Sequence, residues 1–175
     1  MIVPVTTVEK SASALSMTVV AEFAAPPERV WQLWSDPRQL ERWWGPPTYP
    51  ATVDSHDLKP GGRVVYHMTG PSGDQPRGYW DVDEVQPPHR LTFRDGFLND
   101  DGSVNPRLPA TTALVTIEDA GNGQTRMSIE NHFPSTEAME QMLAMGMEEG
   151  MKQAVGQIDA ILAEDRAGAM SASRA

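Results

Sequence analysis

The side chains able to do chemistry in this sequence are few and scattered. Its four histidines, His56, His67, His89 and His132, offer no H-x-x-x-H pair that would set two imidazoles on one helix face for a metal ion. His67 alternates away from Val64, Tyr66 and Met68, and His89 ends a proline turn, Gln86-Pro87-Pro88-His89. Two carboxylate pairs stand out. Asp81 and Asp83 share one strand face, opposite in parity to Trp80 and Val82, which makes it a solvated face. Glu148 and Glu149 flank an apolar helical stripe and read as its wet edge. Glu130 and His132 would make an acid/base pair if turned inward, but Met127 and Ile129 claim the core parity of that strand. No Ser/His/Asp order, phosphate-cradling glycine loop or nucleotide motif is present. No catalytic residue, metal ligand or cofactor is therefore assigned. The polar groups expected to point inward are Tyr66, Gln153 and Gln157.

Composition narrows the classes. The chain has 175 residues and a formal net charge of −10. Its lysines are only Lys10, Lys59 and Lys152, too few to neutralise a run of phosphates. Nucleic acid and anionic membrane surfaces are not expected partners. No apolar run approaches the ~20 residues of a membrane span, and Met1 to Leu15 lacks the basic start and apolar block of a signal peptide. A cytoplasmic location is the expectation. The sequence contains no cysteine, which removes disulfides, thiolate metal sites and a cysteine nucleophile.

The elements that position these residues follow from periodicity. Residues 1–14 have no period and are expected to be a flexible tail, before a single domain over 15–166 and a second flexible tail over 167–175. Leu15, Met17, Val19, Ala21 and Phe23 alternate as one buried strand face. Pro26-Pro27 then opens a short helix carrying Val30, Trp31 and Trp34. Asp36-Pro37-Arg38-Gln39 opens a second, with Asp36 as cap, Gln39 in the capping-box position and Leu40, Trp43 and Trp44 apolar. Six further strands are predicted near 51–58, 63–69, 78–86, 90–97, 111–118 and 125–133. Their connectors hold turn residues and no helical pattern, so the sheet should be an antiparallel meander. From Ser135 to about Arg166 the period becomes helical, with Met139, Met142, Leu143, Gly146, Gly150, Ala154, Ile158, Ile161 and Leu162 on one stripe.

This order predicts an α+β helix-grip fold. A seven-stranded antiparallel sheet wraps a long C-terminal helix, and the two short helices after strand 1 plug one end. A twisted sheet of that size outspans one helix and leaves space beside it. Gly146, Gly150 and the methionines Met139, Met142, Met145, Met147 and Met151 fit an irregular or open interior, although they fit a filled core as well.

The sequence also resembles a known family. Phe23-Ala24-Ala25-Pro26-Pro27-Glu28-Arg29-Val30-Trp31 is similar to the opening F-x-A-P-P-x-x-V-W. Asp36-Pro37, Leu40 and Trp43-Trp44-Gly45-Pro46 resemble D-P-x-x-L-x-x-W-W-G-P, and Asp57-Leu58-Lys59-Pro60-Gly61-Gly62 resembles D-L-R-P-G-G. Met147-Glu148-Glu149-Gly150-Met151 is similar to M-x-x-G-W, with Met151 where many members carry tryptophan. The ordered set looks like the activator of heat-shock protein 90 ATPase homologue family of the START-like (SRPBCC, birch-pollen-allergen-like) superfamily, over residues 16–165. The resemblance implies the helix-grip fold and, in many members, a hydrophobic cavity between sheet and helix. It does not imply one activity.

Three functions are consistent with this reading. The first is a carrier or sensor of a small apolar ligand, lined by Trp44, Tyr66, Trp80, Phe93, Met127, Ile129, Met142, Gly146 and Gln153. The second, carried by the family's name alone, is a co-chaperone modulating a heat-shock protein 90 ATPase. The third is a cyclase or hydratase acting on a polyketide-like ring, which needs a polar group inside the cavity. A monomer and a homodimer paired through a sheet edge are both compatible with the pattern.

Overall fold

The computed structural model describes residues 7–173, so the parts of the expected tails at 1–6 and 174–175 lie outside the described residues. The sheet is entirely antiparallel and has eight strands rather than seven. The addition is β1 (Thr7–Ser11), inside the stretch expected to be a tail; it pairs with β2 (Ser16–Phe23). An edge strand needs no buried face, and only Val8 of β1 packs against the core, so no alternation marks it in sequence. At the far end, 167–173 continues as helix where a flexible tail was expected.

After β2 come α1 (Pro27–Ser35) and α2 (Pro37–Trp43), then β3 (Ala51–His56), β4 (Arg63–Met68), β5 (Arg77–Gln86), β6 (Arg90–Leu98), β7 (Thr111–Gly121) and β8 (Gln124–His132). Strands β3 to β8 form the expected meander, and β2 lies against β8, giving the order β1-β2-β8-β7-β6-β5-β4-β3. Asp36 caps α2 by accepting from the Arg38 N–H at 2.9 Å. Gln39 does not complete a capping box to the backbone; its amide donates to the Asp36 carboxylate instead, at 3.3 Å.

The C-terminal helix is interrupted twice, giving α3 (Thr136–Ala144), α4 (Met147–Gly156) and α5 (Ile158–Ser173). Gly146 makes the first break. Its φ of +89° is left-handed, and its N–H returns to the Leu143 carbonyl at 3.0 Å, the closure that ends many helices. Gln157 marks the second break, and its side chain reaches across to the Gly45 carbonyl at 2.8 Å. It thereby fastens the helix to the end of α2.

Apolar burial does the rest. Val30, Leu33 and Trp34 of α1, Leu40 and Trp43 of α2, and Ile158 of α5 are almost fully buried against inward residues of the sheet. Exposed ion pairs, Arg29–Asp165 and Arg42–Glu164, join the short helices to α5 but add little.

Gly146 and Gly150 therefore have opposite roles. A Cβ at either position would meet nothing within 4 Å, but only Gly146 has positive φ. Gly150→Ala should raise stability by about 0.5–1 kcal/mol, and Gly146→Ala should lower it by about 1–2 kcal/mol. Denaturant unfolding of both variants checks the pair; equal effects would contradict the helix break.

Candidate functional site

Between α3–α4 and the β3–β6 end of the sheet lies a cleft of about 500 Å³, open at its mouth. One wall is aromatic: Trp43, Trp44, Tyr49, Tyr66 and Phe97. The other is helical: Met142, Met145, Met147 and Met151, with Gly146 and Gly150 leaving open space between them. Only Asp74 and Asp95 bring charge to the lining.

Of the residues assigned to a ligand site from sequence, Trp44, Tyr66, Met142 and Gly146 line this cleft. Trp80, Phe93, Met127 and Ile129 are fully buried and do not reach its wall. Trp80 stacks on Phe93 with centroids 4.1 Å apart, and the Met127 sulfur accepts from the Trp34 indole at 3.4 Å. Gln153 corrects the expectation of an inward amide: it is exposed and donates to Glu149 one turn back, at 3.2 Å.

The inner end of the cleft holds a group that the sequence reading overlooked. The Tyr66 hydroxyl of β4 donates to the Asp95 carboxylate of β6 at 2.9 Å, reaching over the intervening strand β5. Gly78 of β5, paired with Tyr66, makes the crossing possible, since a Cβ there would lie 2.4 Å from the phenol ring and its oxygen. The signal was present in the strand parity. Leu91, Phe93, Asp95 and Phe97 occupy alternate positions, so Asp95 shares the core-facing side of β6. A search for carboxylate pairs passes over a lone carboxylate on an apolar face.

Burial dominates the electrostatics here. It pushes the Asp95 carboxyl up to about 7, although the Tyr66 hydroxyl pulls the other way. Burial, with Asp95 adding to it, also holds the Tyr66 phenol well above its ordinary value; the Trp44 and Trp80 indoles partly oppose this. Those two indole N–H groups are buried near the Tyr66 oxygen but fall short of hydrogen-bond geometry with it. At the mouth, Asp74 is different: the Ser72 and Tyr49 hydroxyls donate to it and hold it below the usual carboxylate range.

Elsewhere polar groups are satisfied locally. His56 donates to the Trp34 carbonyl at 3.0 Å, His89 to the Ile117 carbonyl at 2.9 Å, and His67 lies 2.9 Å from Asp54. Glu130 and His132 do pair, at 2.6 Å, on the outer face of β8 that their parity implied. Asp81 and Asp83 also point outward, toward Arg63 and Arg94 respectively. Among the described residues, no three His, Asp or Glu side chains come together as metal ligands would.

Residues 24–163 match the family model described as activator of Hsp90 ATPase homolog 1-like protein. The chain belongs to this family. Two solved members of the same fold are close in sequence. Protein Ms6760 from Mycobacterium smegmatis is 47% identical with a TM-score of 0.83, over 90% of this chain and 97% of that one. A protein from Arthrobacter aurescens is 49% identical with a TM-score of 0.87, over 90% and 91%. A Rhodobacter sphaeroides protein at 24% identity and a TM-score of 0.78, over 91% and 99%, shares the fold. No curated protein matches the chain. No described helix is long and apolar enough to cross a membrane. For a homologue of the Hsp90 ATPase activator family, the informative feature is therefore the cleft itself rather than the family's name.

Asp95 makes that feature measurable. Unfolded aspartates titrate near ~3.9, so the folded chain holds this proton more tightly. The stabilising contribution of Asp95 is complete below about pH 4 and is lost as pH rises through about 7. Asn is isosteric and does not titrate. The melting temperature of Asp95→Asn minus that of wild type should therefore rise between about pH 4 and pH 8 and then level off. A difference independent of pH would contradict the raised titration of this half-buried carboxyl.

Proposed function

We propose that this protein binds a small, largely apolar ligand in the cleft beside α4, as a carrier or sensor. The observation that carries this reading is open space lined by large apolar side chains. A volume of about 500 Å³ lies within the ~300–1,000 Å³ range of small-molecule sites. Methionines on one wall can repack around varied shapes, and rigid aromatics on the other supply flat contact area. At ~0.8 kcal/mol per buried methylene, an eight-carbon chain returns roughly 6 kcal/mol, before the cost of immobilising the ligand.

The Tyr66–Asp95 pair supplies the inward polar group that a cyclase or hydratase would need, and yet it favours binding over turnover. The Tyr66 proton is committed to Asp95, and the indole N–H groups of Trp44 and Trp80 are shut away from the cleft. Apart from the Asp95 carboxyl itself when protonated, that leaves no donor aimed at a developing oxyanion on this wall. A carboxylate alone can orient a ligand.

A neutral, polarity-sensitive fluorophore such as N-phenyl-1-naphthylamine should bind saturably at one site per chain. Gly150→Phe, which projects a ring into the open space while improving on glycine's helix propensity, should weaken that binding at least tenfold without loss of the circular-dichroism spectrum. Unsaturable probe binding by the wild-type protein, or unchanged affinity in Gly150→Phe, would overturn the assignment.

A further inference from the structure

We propose that the cleft selects ligands whose polar end is a protonated amine, with Asp95 as its counter-ion at the inner end. This rests on the reading of the cleft as a ligand site and adds the chemistry of the ligand's head.

The first argument is the charge census of the wall. The lining contains two carboxylates, Asp95 deep and Asp74 at the mouth, and no lysine, arginine or histidine. A fatty acid or other anion would meet like charge at both ends of its path and find no cation to pair with. A cation would be attracted at the entrance by Asp74, which its hydroxyl donors keep ionised.

The second argument is the geometry at Asp95. Tyr66 donates to Oδ1 at 2.9 Å and fixes the carboxylate plane, while Oδ2 has no hydrogen bond among the described residues. Since Asp95 lines the cleft, that oxygen is an acceptor available to an incoming N–H. An ammonium group brings such donors, and a charge-assisted bond of this kind is about twice as strong as a neutral one. The rings of Trp44 and Tyr66 lie edge-to-face, with centroids 6.1 Å apart, on the wall beside it. Aromatic faces attract cations and repel anions.

The head-group selectivity has a proton linkage. The groups around Asp95 are the Tyr66 hydroxyl from β4 and its cross-strand neighbours Trp80 of β5 and Thr111 of β7; α3 and α4 present only methionine, glycine, alanine and valine to the cleft, and Asp74 stands at its mouth. A cation beside Asp95 favours the carboxylate, so amine binding should release a proton and strengthen as pH rises from about 6 to 8.

The test is displacement of N-phenyl-1-naphthylamine by three chains of equal length: decylamine, decanol and decanoate. Decylamine should displace the probe at a concentration at least tenfold below that of decanoate, with decanol between them. Asp95→Asn should bring decylamine level with decanol and leave decanol within about threefold of its wild-type value. If decanoate competes as well as decylamine, or if Asp95→Asn keeps the full amine preference, the amine assignment falls while the cleft remains a ligand site. If the probe fails to bind wild type saturably, the ligand-site reading falls and the amine assignment falls with it. The wild-type series alone can overturn the amine preference, so a poorly folding variant still leaves the proposal falsifiable.

Discussion

The fold turns on one aromatic contact set centred on Trp34 of the first short helix. Its ring lies 4.8 Å from Trp43, 5.9 Å from Trp44, 5.8 Å from Trp80 and 6.3 Å from Phe93, centroid to centroid. One side chain thus joins α1, the α2 end and strands β5 and β6. Its indole N–H reaches Met127 on β8, and the Trp43 indole donates to the Leu33 carbonyl at 3.0 Å. Each aromatic contact contributes ~0.5–1.5 kcal/mol beyond area burial. Together they close one end of the sheet and set the depth of the cleft, because Trp44 faces the cluster on one side and the open space on the other.

Much of this was legible in order and parity. Two proline-started helices between an alternating strand and a run of turn-linked strands imply a plugged, curved sheet, and that sheet is present. Elements without a local signal were not legible. β1 is an edge strand with most of its side chains in solvent, so neither face carries a pattern. The interruption at Gly146 was hidden because a glycine in an apolar stripe reads as close packing or as a break with equal ease. Only the positive φ decides between them.

The candidate site was half legible, and the division has a physical reason. Parity tells which side chains face inward but not how far along the sheet the helix covers them. Trp80, Phe93, Met127 and Ile129 face inward and are sealed in the core. Tyr66 and Asp95 also face inward but reach the uncovered end. Gln153 failed for a related reason. The apolar stripe carries across the Gly146 break, with Met139 and Met142 before it and Ala154, Ile158, Ile161 and Leu162 after it all buried, and Gln153 lies off that stripe and turns to solvent.

The unfavourable features of the structure are concentrated at the inner end of the cleft. A carboxyl is pushed far from its usual range by burial, two buried indole N–H groups lack acceptors, and a neighbouring strand gives up a side chain at Gly78 so that Tyr66 can cross it. Each orphaned donor costs about 1–3 kcal/mol. A core optimised only for stability would place leucine or phenylalanine at position 95, in continuity with Leu91 and Phe93. The carboxyl instead lies where Gly78 clears the path by which Tyr66 reaches it and where a 500 Å³ opening ends. Local cost grouped around an opening, rather than dispersed through the core, is the pattern of a binding site. Under the proposed function, the Tyr66 hydrogen bond orients the Asp95 carboxylate before a ligand arrives.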